Sequence, residues 1–194
     1  MELYKNAESV NKLGYQNEHM CLAVVSKNGL QLQNVAEPTY EICLTAVKQN
    51  GLALRYVYEP SDEICKAAVE QNPLALQFVE NQTNEMCMTA VKKNGLALQF
   101  VELMVPEIAY AAVKQNLEAM QYAYIFSPAF IKAIIPTFGL ALEFVPAQYQ
   151  TNQLCMAAVK NNGMALEFVQ VKTPEIVTEA LKSNPEANKF TASS

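Results

Sequence analysis

The tripeptide Asn-Gly-Leu stands at Asn28, Asn50 and Asn94, and the same column is held by Asn72, Asn116, Asn162 and Asn184, with Phe138 in one irregular copy. Each step is 22 residues from Asn28 to Phe138, one step of 24 follows to Asn162, and the last is 22 again to Asn184. Self-similarity at a fixed period of this size defines an array in which each copy is one supersecondary unit that buries its apolar face against its neighbours. The two extra residues fall around Pro146 to Thr151.

The columns give the local structure. Asn17, Thr39, Ser61, Thr83, Val105, Ser127, Thr151 and Thr173 open the units, and all but the valine can accept a hydrogen bond from the free N–H groups of a helix start. The next column contains Pro106, Pro128 and Pro174, welcome at a first helical position because the N–H that proline lacks would be unpaired there. Glu41, Glu63, Glu85, Glu107 and Glu175 follow, where a carboxylate complements the helix dipole. Helix A therefore starts here and runs about ten residues, ending near Lys48 or Gln49, with Ile42, Cys43, Ala46 and Val47 as its apolar stripe.

The Asn column can close helix A or open a second helix. Pro73 and Pro185 in the column behind it exclude the positive φ of a C-cap glycine and fit a first helical position, so Asn is read as the N-cap of helix B. Helix B is expected to span seven or eight residues, apolar nearly all round. Its one polar column is Gln33, Arg55, Gln77, Gln99, Gln121, Glu143, Glu167 and Lys189, which is expected to face solvent.

The fold class is therefore all-α, an α-solenoid of eight helix-turn-helix repeats of about 22 residues, in a single elongated, right-handed type of array. Residues 1–16 form a partial N-terminal repeat, and the units are 17–38, 39–60, 61–82, 83–104, 105–126, 127–150, 151–172 and 173–194 in one domain. Glu186 and Asn188 replace apolar helix-B positions in the last unit, as a polar end cap requires.

A net charge of -5 and pI near 5.0 speak against a general nucleic-acid or anionic-membrane binder, which needs a basic face. The N-terminus lacks the apolar core of a secretory signal, and the most apolar stretch, 122–145, is interrupted by Pro128, Lys132, Pro136 and Glu143, which disfavours a membrane span. With one histidine, His19, a multi-histidine metal or catalytic site is excluded by count.

Cys21, Cys43, Cys65, Cys87 and Cys155 share a column with Ala109, Ile131 and Val177. That company marks small buried hydrophobes, and free thiols suit an intracellular, reducing compartment. The aromatic column Tyr56, Phe78, Phe100, Tyr122, Phe144, Phe168 and Phe190 can be a stacking platform for bases or core; its helical spacing and the acidic charge favour core. No nucleophile, base and acid cluster, no phosphate loop is present, and the chain is expected to be no enzyme and to hold no cofactor or metal.

The departures from the repeat single out its middle. Polar inter-unit loops become Leu103-Met104-Val105 and Tyr124-Ile125-Phe126, and the copy ending at Phe138 lacks both the Asn cap and the Glu. Leu103, Met104, Tyr124, Ile125, Phe126 and Phe138 are the candidate partner interface, with local burial as the alternative; Gln33 to Glu167 of the polar column form a candidate exposed ladder.

The run Glu-Ile-Cys-x-x-Ala-Val-Lys-x-Asn-Gly-Leu-Ala-Leu-x-x-Val resembles the repeats of the domain of unknown function 4116 family, from Asn17 to about Phe190. Copies such as Glu41 to Val57 and Glu85 to Val101 match closely, and the copy at Ala129 to Val145 diverges. The resemblance implies a protein of the kind abundant in giant DNA viruses of amoebae, marseilleviruses and mimiviruses among them, in host cytoplasm, nucleus or virion. It brings no catalytic residues. The expected role is a protein-interaction scaffold with an unidentified protein partner; the alternative is a virion structural or packaging component that self-associates, as a homodimer for example. A nucleic-acid-binding repeat protein is the minor alternative.

Overall fold

A computed structural model describes residues 17–123 and 128–191. The described residues contain α-helices alternating with short 3₁₀-helices, and no strand among them. The chain divides into two compact units, Met1–Leu103 and Met104–Ser194. In the first, α-helices Glu18–Val25, Tyr40–Gln49, Asp62–Gln71 and Asn84–Lys93 alternate with 3₁₀-helices Gly29–Asn34, Gly51–Tyr56, Pro73–Phe78 and Gly95–Phe100. In the second, Pro106–Gln115, Pro128–Ile134, Asn152–Asn161 and Pro174–Ser183 alternate with Leu117–Tyr122, Gly139–Phe144, Gly163–Phe168 and Pro185–Phe190, and the insertion forms one further 3₁₀ turn, Ala147–Tyr149. Within each unit successive 3₁₀-helices lie side by side, and α-helices pack on the 3₁₀-helix of their own copy and of the one before. The result is an all-α solenoid of two layers with the core between them.

The caps follow the columns. The side chains of Asn17, Thr39, Ser61, Thr83, Thr151 and Thr173 each accept from the backbone N–H three residues on, while Val105 has no side-chain cap; Ser127 lies outside the described residues. Asn50 serves both helices. Its N–H bonds to the Ala46 carbonyl and closes the α-helix, and its Oδ1 accepts from Leu52 N at 3.1 Å and opens the next. Asn28, Asn72, Asn94, Asn116, Asn162 and Asn184 cap in the same way, and Phe138 does not.

Helix B differs from the expected seven or eight residues: it is a six-residue 3₁₀-helix. Length matching gives the reason. Ten α residues rise about 15 Å, and six residues at the 3₁₀ rise of about 2.0 Å reach about 12 Å, whereas six α residues reach only about 9 Å. The tighter helix lets a short segment cover a ten-residue one. Three residues per turn also sorts the side chains into three ridges. Gly51 and Leu54 are buried, Ala53 is buried with Tyr56 half-buried behind it, and Leu52 is half-buried ahead of the exposed Arg55.

Four copies are seen tied to the next through a glycine. A Cβ on Gly29, Gly51, Gly139 or Gly163 meets the carbonyl oxygen of Ala46, Ala68, Ala158 or Ala180 in the following copy at 2.2, 2.3, 2.4 and 2.3 Å, so only hydrogen fits. The amide of Gly29 donates to Gln49 Oε1 at 2.6 Å and that of Gly51 to Gln71 Oε1 at 2.5 Å, and the glutamines' Nε2 groups donate back to Lys27 O and Gln49 O. Asn161 takes the acceptor role for Gly139, and Ser183 for Gly163. Pro73 has no N–H to give, and the glutamine position of the following copy is Lys93, whose ammonium donates to Glu70 O instead.

Candidate interaction surfaces

The polar column occupies the outward ridge of the 3₁₀-helices. Gln33, Arg55, Gln77 and Gln99 are exposed in the first unit, and Gln121, Glu143, Glu167 and Lys189 in the second. Gln77 and Gln99 fold back onto the carbonyls of Leu74 and Leu96 at 2.8 and 3.0 Å. The Arg55 guanidinium lies 5.3 Å from the Tyr56 ring centre and 5.8 Å from that of Phe78, so two successive aromatic rings share one cation. Lys189 stands over Phe190 at 4.9 Å.

The aromatic column was expected in the core and is instead half-buried at Tyr56, Phe78, Phe100, Tyr122, Phe144, Phe168 and Phe190. The 3₁₀ turn is responsible. It places this column one residue past the outward ridge, so one edge of each ring covers the core and the other meets solvent beside the ladder.

The apolar middle separates into pieces. Leu103, the last residue of the first unit, is 75% exposed. Met104 is half-buried, and Tyr124, Ile125 and Phe126 lie outside the described residues. Phe138 is half-buried and meets Tyr110 edge-on, with ring centres 6.0 Å apart at 62°.

A groove of about 450 Å³ runs between helices Pro106–Gln115 and Pro128–Ile134, lined by Pro106, Glu107, Tyr110, Ala129, Phe130 and Ala133. Its counterpart in the first unit measures about 150 Å³ and is closed by a 2.8 Å ion pair between Lys66 and Glu85. Lys66 holds the Glu85 carboxyl below the usual carboxylate range. Tyr110 and Ala129 occupy the columns of Lys66 and Glu85 in the second unit, so no pair forms and the cleft stays open and apolar. The missing glutamate at 129 was the sequence signal; Tyr110 and Phe130 gave none, because a helix pattern does not tell a groove wall from a core residue. Helix Pro128–Ile134 is also three residues shorter than the ten-residue helix Pro106–Gln115 beside it, since Pro136 cannot continue it and disfavours the α region at Ile135.

The titratable groups are spread thinly. The five cysteines are buried free thiols, and burial pushes each of them up, with the Glu18 charge adding to it at Cys21 and that of Asp62 at Cys65. His19 is exposed in the first turn of its helix. Among the described residues no group of three His, Cys, Asp or Glu is placed to hold a metal ion, and no helix is long and apolar enough to cross a membrane.

Two further side chains, not singled out by sequence, act as inter-copy clamps. Gln82 donates to Leu76 O and Phe100 O at 3.3 and 2.8 Å and accepts from Glu102 N at 3.2 Å and Cys87 Sγ at 3.4 Å. Gln150, just ahead of the Thr151 cap, makes the same set with Val145, Phe168, Gln170 and Cys155. Pro38 and Pro60 take this column in earlier copies.

Residues 39–84 and 61–104 match the family model described as Domain of unknown function (DUF4116). The two matches begin one 22-residue step apart, so a family unit corresponds to two successive copies here, laid down in two overlapping registers. No curated protein and no solved structure matches the chain.

Proposed function

With residues 39–104 matching the model of that family and the chain folded as helical repeats, we propose that the chain is a non-enzymatic scaffold that binds a protein partner along the outward face of its 3₁₀ layer. The observation that carries this is the alternation, copy after copy, of an exposed polar side chain with a half-buried aromatic ring. Such a face offers hydrogen-bond specificity beside aromatic area, the composition in which interface anchors are enriched. It stands on turns pinned by asparagine caps and inter-copy hydrogen bonds, so little order remains to be imposed on binding. The resemblance to repeats of giant DNA viruses supports placing the scaffold in an infected cell or a virion.

The test is chemical cross-linking and mass spectrometry of the wild-type chain and of R55E/Q77E/Q99E in cell extract. A partner cross-linked near the ladder of the wild type and lost from the variant is the expected result. A wild type that holds no protein beyond what the variant holds removes the reading.

The open groove beside Tyr110 favours a second reading, self-association in a structural role. Light-scattering mass across a concentration series decides it. A dimer that Ala129→Glu converts to a folded monomer supports it, and a monomer at every concentration rules it out.

A further inference from the structure

The first unit carries a second groove, of about 530 Å³, on the side where its loops leave the 3₁₀ layer. Tyr58, Glu59, Phe78, Glu80 and Glu102 line it together with Arg55. Tyr58 is the most exposed large apolar residue among those described, at 87%. Glu59, at φ 45°, is held in the left-handed region, a conformation an L side chain adopts at a cost, and Pro60 fixes the chain directly after it.

The charges in this groove are unbalanced. Glu59, Glu80 and Glu102 are exposed, and among the described residues none forms an ion pair. Arg55 is the one cation among the lining residues, and its guanidinium is already shared between the rings of Tyr56 and Phe78. An exposed phenol ring, the half-buried Phe78 ring and three carboxylates lining one groove together match a lysine or arginine side chain: the aromatic rings suit its apolar stem and its cation, and the carboxylates supply the countercharge. The same sign repels phosphate, so a nucleic acid is the wrong occupant.

We propose that this groove binds a segment of a partner protein bearing lysine or arginine, in an extended conformation along the inter-copy loops. The proposal rests on the scaffold reading and names the chemistry of one of its contacts. A weak, salt-sensitive docking contact is the expected strength, since exposed charge pairs are screened beyond about 8 Å at physiological ionic strength.

The experiment is fluorescence anisotropy of the full chain with three short labelled peptides of equal length: one alternating arginine with alanine and proline, one with every arginine replaced by glutamine, and one with glutamate in its place. The arginine peptide binds and the other two do not. E59Q, E80Q and E102Q each weaken binding about two- to five-fold, the range of a solvent-exposed ion pair. Y58S weakens it as well, at unchanged net charge. The charge-matched control E118Q/E175Q/E186Q, exposed carboxylates of the second unit that lie off the ladder, leaves binding unchanged.

No binding of the arginine peptide overturns the proposal. So does equal weakening by E59Q/E80Q/E102Q and by the control, which would mark diffuse attraction to an acidic chain. All these side chains are exposed, and unchanged circular dichroism separates a binding loss from a folding loss. The cross-linking result fails independently: a chain that binds the arginine peptide here and holds no protein on its ladder keeps this groove and loses the wider scaffold reading.

Discussion

At the residue scale, close approach decides more than backbone freedom. Gly51 is glycine because the Ala68 carbonyl leaves no room for a Cβ, and backbone atoms cannot move aside as a flexible side chain can. Gly51→Ala is expected to lower stability by about 1–3 kcal/mol, the range for overpacking, against a smaller gain from the stiffer unfolded chain; urea denaturation measures it. The buried thiols make a second prediction. Folding raises their pKa, so the unfolded chain loses its thiol protons first as pH rises. Stability is whole below the ordinary thiol range of about 8.5 and falls as pH climbs from there toward the folded values. Denaturation midpoints from pH 7 to 10 follow this fall, and Cys43→Ala/Cys65→Ala/Cys87→Ala flattens it.

At the scale of elements, caps and clamps decide where helices begin and how copies join. Val105 opens an α-helix without a side-chain acceptor. Val105→Thr is expected to add about 0.5–1 kcal/mol by supplying a cap, read as a raised midpoint in thermal unfolding. Gln82 joins two copies through four hydrogen bonds. Gln82→Ala is expected to cost about 2 kcal/mol, because it leaves part-buried backbone groups unpaired. Gln77→Ala, on the exposed ladder of the same unit, is expected to stay within about 0.5 kcal/mol. Equal losses from the two would mean that the clamp bonds add nothing to stability.

The helices and most caps were legible because each is a local requirement, repeated often enough that columns average out exceptions. Asn50 was legible as an N-cap because Pro73 and Pro185 in the next column exclude the alternative. The type of helix B was not legible. An apolar hexapeptide such as Gly51–Tyr56 carries no period that separates a 3₁₀ turn from a short α-helix. The clamp at Gln82 stayed hidden for a related reason: three of its four partners are backbone atoms, which leave no mark in sequence.

At the scale of the whole molecule, the last copy departs from a column that the others bury. Leu32, Leu54, Leu76, Leu98, Met120, Leu142 and Leu166 are buried in one column, and Asn188 stands exposed in the last. Asn188→Leu is expected to make that end face sticky, seen as a mass that rises with concentration in light scattering while circular dichroism is unchanged; a mass that stays monomeric at every concentration counts against Asn188 as a solubilising cap.

The sequence by itself determined the period, the helix starts, the buried stripe and the outward polar column, since these depend on backbone chemistry within one copy. Tertiary structure decided the rest. The groove beside Tyr110 opens because Ala129, on another helix, offers no partner in place of the Lys66–Glu85 pair. The half-buried aromatic edges depend on a turn whose pitch is set by the length of the helix it covers. The acidic groove exists because Tyr58, Phe78, Glu80 and Glu102 come from three successive copies. Surfaces are made between copies, and the distances that make them are fixed only when the copies stack.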